Sequence, residues 1–149
     1  MAWLSHNAPT TDTVLPSGHG VRLRLVVRLL GMLVRRDLLV VDVRGGSMWP
    51  ALRPGDRLFC SRRAPISEGA IVIRRTVDGR AARAFHIKRV VAMGREFDGR
   101  TIPPGHCWIE GDNSMRSADS RHFGPIPCSE LVAVAVANLT RQGLIDLTL

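Results

Sequence analysis

Tyrosine is absent from this chain of 149 residues, which has only four phenylalanines and three tryptophans. A single-strand nucleic-acid binder interleaves its basic groups with aromatic rings on which bases stack. Two of the three tryptophans, Trp49 and Trp108, instead flank the candidate site described below, so no nucleic-acid partner is expected despite a formal charge of +8. The three cysteines, Cys60, Cys107 and Cys128, cannot all pair and none forms a Cys-x-x-Cys motif, so no disulfide framework is implied. His106 and Cys107 are adjacent and would point to opposite faces of a strand, and His6, His19, His86 and His122 are scattered. No metal or cofactor is assigned. Long apolar runs are lacking too. The longest uncharged stretch between Val21 and Val43 is Leu29 to Val34, which rises about 9 Å as helix against a hydrocarbon core of about 30 Å. That argues against a spanning helix, and residues 1–19 lack the charged-then-apolar order of a signal peptide. Lysine occurs once, at Lys88, against twenty arginines. Arginine stays protonated in proteins, so Lys88 is the one strongly basic side chain able to act as a proton acceptor near neutral pH.

What is present fits one domain. Apolar residues make up 45% of the chain, with 14 glycines and 9 prolines punctuating short segments, a composition suited to a loop-rich β fold. Residues 1–19 read as a flexible leader. Residues 20–36 read as a basic amphipathic helix, with Leu23, Val26, Val27, Leu30, Leu33 and Val34 on one face and Arg24, Arg28 and Arg35 on another. Such a helix either packs on its own domain or lies in the interface of an anionic leaflet. Residues 37–149 form the expected catalytic domain. Leu38–Arg44, Asp56–Ser61, Ala70–Arg75, Arg83–Ala92, Cys107–Glu110 and Leu131–Ala137 are strand candidates. Turn residues such as Asp78-Gly79 and Pro103-Pro104-Gly105 separate them. The fold class is mainly β, an antiparallel barrel or sandwich core behind a short helix.

Two segments suggest chemistry. Gly45-Gly46-Ser47-Met48-Trp49-Pro50 is a tight loop able to present a hydroxyl, and Phe85-His86-Ile87-Lys88-Arg89-Val90 is a strand able to bury an amine. A serine is a poor nucleophile until a base takes its proton, and a lysine serves only when desolvation keeps it neutral. Ile87, Val90 and Met48 are the expected apolar cover. Backbone N–H groups of Gly45, Gly46 and Ser47 are placed to stabilise an oxyanion.

A third block, Gly111-Asp112-Asn113 running through Ser117-Ala118-Asp119-Ser120-Arg121 to Phe123-Gly124-Pro125, completes a pattern. With the other two it resembles the type I signal peptidase family in order and spacing, over most of residues 40–137. The resemblance implies Ser47 as nucleophile, Lys88 as general base and Ser117 as the serine that orients the amine. It implies Gly45, Gly46 and Met48 at the oxyanion and substrate site, and Asp112, Asn113, Asp119 and Arg121 as scaffold. Some members carry a serine where this chain has Gly45, so here backbone donors must suffice. The interval from Arg95 to Cys107 is too short for the extra β domain some relatives insert, which suggests a minimal core.

The implied substrate is a precursor bearing a signal or leader peptide, bound as an added strand and cleaved after small residues. The implied location is a membrane surface, reached through residues 20–36, with the cytoplasm as the alternative. A protease dedicated to one partner's leader, a self-cleaving repressor-like protein and a non-enzymatic basic β module are the rival readings.

Overall fold

The computed structural model describes residues 18–77, 83–140 and 143–147. The expected leader through residue 17 and the Asp78-Gly79 turn lie outside them. A helix α1 (Gly18–Val34) leads into ten strands: β1 (Leu38–Asp42), β2 (Arg57–Ser61), β3 (Ile71–Val77), β4 (Arg83–Met93), β5 (Glu96–Phe97), β6 (Arg100–Thr101), β7 (His106–Glu110), β8 (Ile126–Pro127), β9 (Leu131–Thr140) and β10 (Gly143–Asp146). A short helix α2 (Ser120–Phe123) lies between β7 and β8. The main sheet is antiparallel, in the order β1-β2-β9-β3-β4-β7-β8, with β10 also on β9. The ladder runs open from β1 to β8, so the antiparallel core is present without a closed barrel among the described residues.

The central strands are buried on both faces, which is why β9 reads as an almost unbroken apolar run rather than an alternating one. On one face Ile71, Ile73, Ala133 and Ala135 pack with Leu58, Cys60, Met48 and Leu52. On the other, Val72, Val90 and Val134 pack with Cys107, Ile109 and Ile126. The β5–β6 hairpin is seated by a smaller cluster of Ala92, Ile102 and Trp108. Bulges in β9, at Val136 opposite β2 and at Val132 opposite β3, and in β4, at Val91 opposite β7, bend the sheet.

Alternation corrects one expectation. Successive strand residues face opposite ways, so Ile87 packs with the first core while Lys88 shares its face with its cross-strand partner Val72 and with Val90. The helix holds a second finding. Its periodicity is as read, but among the described side chains Leu25 and Met32 are those it buries, and the predicted apolar face is turned outward.

Candidate functional site

Ser47 lies on a loop whose two ends are clipped together. Val43 N donates to Asp56 O at 2.8 Å and Gly55 N donates to Val43 O at 3.0 Å. The Asp56 carboxylate accepts from Arg53 N and from Asn138 Nδ2, each at 3.0 Å. Within the loop Met48 and Leu52 are buried, and Leu52 N bonds Met48 O at 2.8 Å, forming one helical turn. Gly45 has φ +75°, in the left-handed region where a Cβ is strained, which accounts for glycine there. Ser47 is half-buried at the end of a cleft of about 460 Å³ lined by β1, by Arg44, Gly45 and Met48, and by Phe85, His86 and Ile87 of β4.

Lys88 is 4% exposed, and its Nζ donates to Ser117 Oγ at 2.7 Å. Burial drives its pKa below the ordinary lysine value. Asp119 opposes that shift, while Arg121 and Arg74 add to it. Among the described residues the amine is hydrogen-bonded to Ser117 and not directly to Ser47.

Gly111 brings the two serines together. A Cβ built on it would meet Ser117 Oγ at 2.3 Å and the Ser47 carbonyl oxygen at 2.6 Å. The Ser47 carbonyl also accepts from Asn113 N at 2.9 Å. The loop bearing Ser47 and the segment carrying Ser117 are therefore docked on one another through backbone.

Asp119 is fully buried, and as N-cap of α2 it forms a capping box with His122. Its carboxylate accepts from Gly111 N at 2.9 Å, from Arg121 Nε at 2.9 Å and from Arg121 Nη2 at 2.6 Å. Burial opposes ionisation, but the Arg121 guanidinium, the Gly111 amide and the Ser117 hydroxyl prevail and hold the carboxyl well below its usual range. Asp112 takes both Nε and Nη2 of Arg89, at 2.9 and 2.7 Å, while Arg89 Nη1 reaches Gly69 O at 2.9 Å.

All ten candidate residues thus fall in one neighbourhood. Three supports went unread in the sequence: Arg89, which holds Asp112, Asn138, which holds Asp56, and Arg116, whose side chain passes beside Gly46. Arg89 was visible as the neighbour of Lys88, facing the other way. Asn138 carried only the weak signal of a polar residue ending an apolar strand.

The profile of the family "Signal peptidase, peptidase S26" matches residues 93–140, and that of "Peptidase S24-like" matches residues 23–99. The chain is 33% identical over 128 residues to mitochondrial ATP-independent inner membrane protease subunit 1a of Arabidopsis thaliana, covering 70% of this chain and 74% of the relative. It is 30% identical over 147 residues to mitochondrial inner membrane protease subunit 2 of Schizosaccharomyces pombe, covering 85% and 79%. Against mitochondrial inner membrane protease subunit 1 of Mus musculus it is 33% identical over 103 residues, spanning 59% of this chain and 61% of the relative.

Proposed function

The chain belongs to the S26 family of signal-peptidase-type peptidases, and on that premise we propose that it is a serine endopeptidase that removes a signal or leader peptide from a precursor. The observation that carries this reading is the buried, charge-disfavoured Lys88 held by Ser117 beside the loop that presents Ser47.

In this reading Ser47 Oγ attacks the scissile carbonyl and its proton passes to the neutral Lys88 Nζ. Ser117 holds one direction of the amine, which leaves the lone pair to point toward the reacting hydroxyl. The oxyanion is met by backbone N–H groups of the Gly45-Gly46-Ser47 turn. Collapse breaks the C–N bond, and the departing amine takes the proton from the Lys88 ammonium. Water, deprotonated by Lys88, then hydrolyses the acyl ester and Ser47 regains its proton. Asp119, Arg121, Asp112 and Asn113 act through position, since a displacement of about 1 Å loses ~100-fold in rate.

The cleft suits an extended peptide. Among the described residues, 83–88 of β4 pair with β3 alone, because β7 takes up pairing only from Arg89 onward. An edge of β4 and an edge of β1 thus border the cleft, and a peptide can add there as a strand. Val41, Met48 and Ile87 beneath it favour small side chains. We place the protein at a membrane surface, as relatives named inner membrane proteases suggest. No helix among the described residues is long and apolar enough to cross a bilayer. Whether it serves many precursors or one dedicated partner is decided by substrate breadth.

The test is cleavage of an Ala-x-Ala signal-peptide reporter in lipid by wild type, Ser47→Ala and Lys88→Arg. Wild-type activity should climb along a limb below the ordinary lysine range, and both variants should lose roughly three orders of magnitude or more. Activity surviving in Ser47→Ala would sink the mechanism. The S24-like match covers both Ser47 and Lys88, and it favours self-cleavage as the second reading. Concentration-independent fragmentation of the purified chain, followed by intact mass, would select it.

A further inference from the structure

Six apolar side chains of α1 point into solvent: Leu23, Val26, Val27, Leu30, Leu33 and Val34, between 44% and 84% exposed. At 3.6 residues per turn they occupy one arc of roughly 120°. Among the described side chains the domain side is narrower and is formed by Leu25, Met32 and the half-buried Leu29. Exposed arginines border the outward arc, Arg22 on one side and Arg24 and Arg35 on the other. No acidic residue lies within the helix. A helix that packs only on its own domain would turn its wider apolar face inward.

We propose that α1 docks in the plane of an anionic lipid surface, its outward arc buried among acyl chains and its bordering arginines on headgroup phosphates. This deepens the membrane assignment above and rests on it, but not on the chemistry at Ser47. Charge complementarity selects lipid over a second copy of this chain, which would bring two arginine borders into contact.

The helix is tied to the catalytic residues by a short, well-held joint. Asp37 N donates to Met32 O at 2.9 Å, and the Asp37 carboxylate accepts from Ser61 Oγ at 2.7 Å and from Arg62 N at 2.9 Å. Strand β1, which lines the cleft, begins at the next residue. A docked α1 therefore fixes the height of the cleft above the surface, where the leader of a membrane-inserted precursor would emerge.

Flotation of the full chain with vesicles tests this. Phosphatidylcholine alone is compared with phosphatidylcholine containing about 30% phosphatidylglycerol, at ~0.1 and ~0.5 M salt. The chain should float with the anionic vesicles only, and less at high salt. Leu23→Asp/Leu30→Asp should abolish flotation with an unchanged melting temperature, because both positions are already solvated. Arg24→Gln/Arg35→Gln should weaken it on the order of 30-fold. Equal binding to neutral vesicles, no binding to either, or full binding by the aspartate variant would overturn the proposal. So would a concentration-dependent dimer lost in the aspartate variant without vesicle binding. Ser47→Ala should float like wild type, so binding without cleavage would remove the peptidase reading and leave this one standing.

Discussion

Replacing Gly111 by alanine tests how closely the Ser47 loop and the Ser117 segment must approach. The added Cβ would lie 2.3 Å from Ser117 Oγ, 2.6 Å from Ser117 Cβ and 2.6 Å from Ser47 O. Carbon atoms in good contact sit about 3.5 to 4.0 Å apart, so relief requires a movement of roughly 1 Å. Neither neighbour is free to give it. Ser117 is bonded to Lys88 Nζ, Ser47 O is bonded to Asn113 N, and Gly111 N is itself bonded to Asp119. Gly111 is outside the left-handed region, so the penalty is one of contact and not of backbone torsion. Overpacking of this kind costs about 1 to 3 kcal/mol of stability, and a ~1 Å displacement of the nucleophile loses ~100-fold in kcat. Urea unfolding and reporter cleavage read the two effects separately. Adding Ser117→Gly removes two of the three clashes but leaves the one with Ser47 O and takes the hydroxyl from the buried Lys88 amine, so the double variant should not regain rate. Gly111→Ala with both quantities within roughly twofold of wild type would refute the reasoning.

Asp119→Asn probes the charge behind the lysine. The Asp119 carboxyl has a depressed folded pKa, so its stabilisation is fully present above the ordinary value of 3.8 and is lost as pH falls through the folded value. The variant should be less stable by about 2 kcal/mol at neutral pH, allowing for the partial exposure of Arg121, and the difference should shrink in acid. A pH-independent difference in chemical denaturation would contradict this. Asp119 also opposes the lowering of the Lys88 pKa, so the activity limb of Asp119→Asn should move to lower pH even as kcat falls. Asn138→Ala removes one of the two side-chain carboxylate bonds that close the loop stem at Asp56. It also removes the Asn138 Oδ1 acceptor, which is buried without a partner among the described residues. The net destabilisation should be about 1 kcal/mol, with kcat lowered and KM held in steady-state assays. A rise in KM alone would show that the stem supports binding instead.

The strands legible in the sequence were those long enough to show β-branched runs, and all six candidates appear with their ends shifted by a few residues. The two-residue strands β5, β6 and β8 and the four-residue helix α2 carry no periodicity to read. The capping box of Asp119 and His122 that starts the helix shows only in the structure. Joint spacing picked out the candidate residues that the fold brings together, because serine, lysine and a returning polar segment have few other reasons to recur together. Their supports arise from register, which a single sequence does not display. Val72 covers Lys88 because β3 pairs with β4 residue against residue, and no local pattern announces that partnership. In α1 periodicity found the apolar face but not its direction, since a helix has the same pattern whether that face meets protein or lipid.

One structural event links the features of the site. Among the described residues strand β4 has β3 alone as partner through Lys88, and β7 joins it only from Arg89, opposite Glu110. Beyond Glu110 the chain leaves the sheet at Gly111 and crosses back over Lys88 as far as Asp119. The departure leaves the first half of β4 with an unpaired edge on the cleft, available to an incoming strand, and delivers Ser117 onto the amine. Arg89 and Lys88 face opposite ways, so Arg89 is free to grip Asp112 at the base of the returning segment while Asp119 grips Gly111 from its far end. A longer β7 would pair with the cleft edge and carry Ser117 away from the lysine. Termination at Glu110 therefore sets both the open edge on the cleft and the environment of Lys88, and the glycine that follows leaves no room for a Cβ between Ser117 and Ser47.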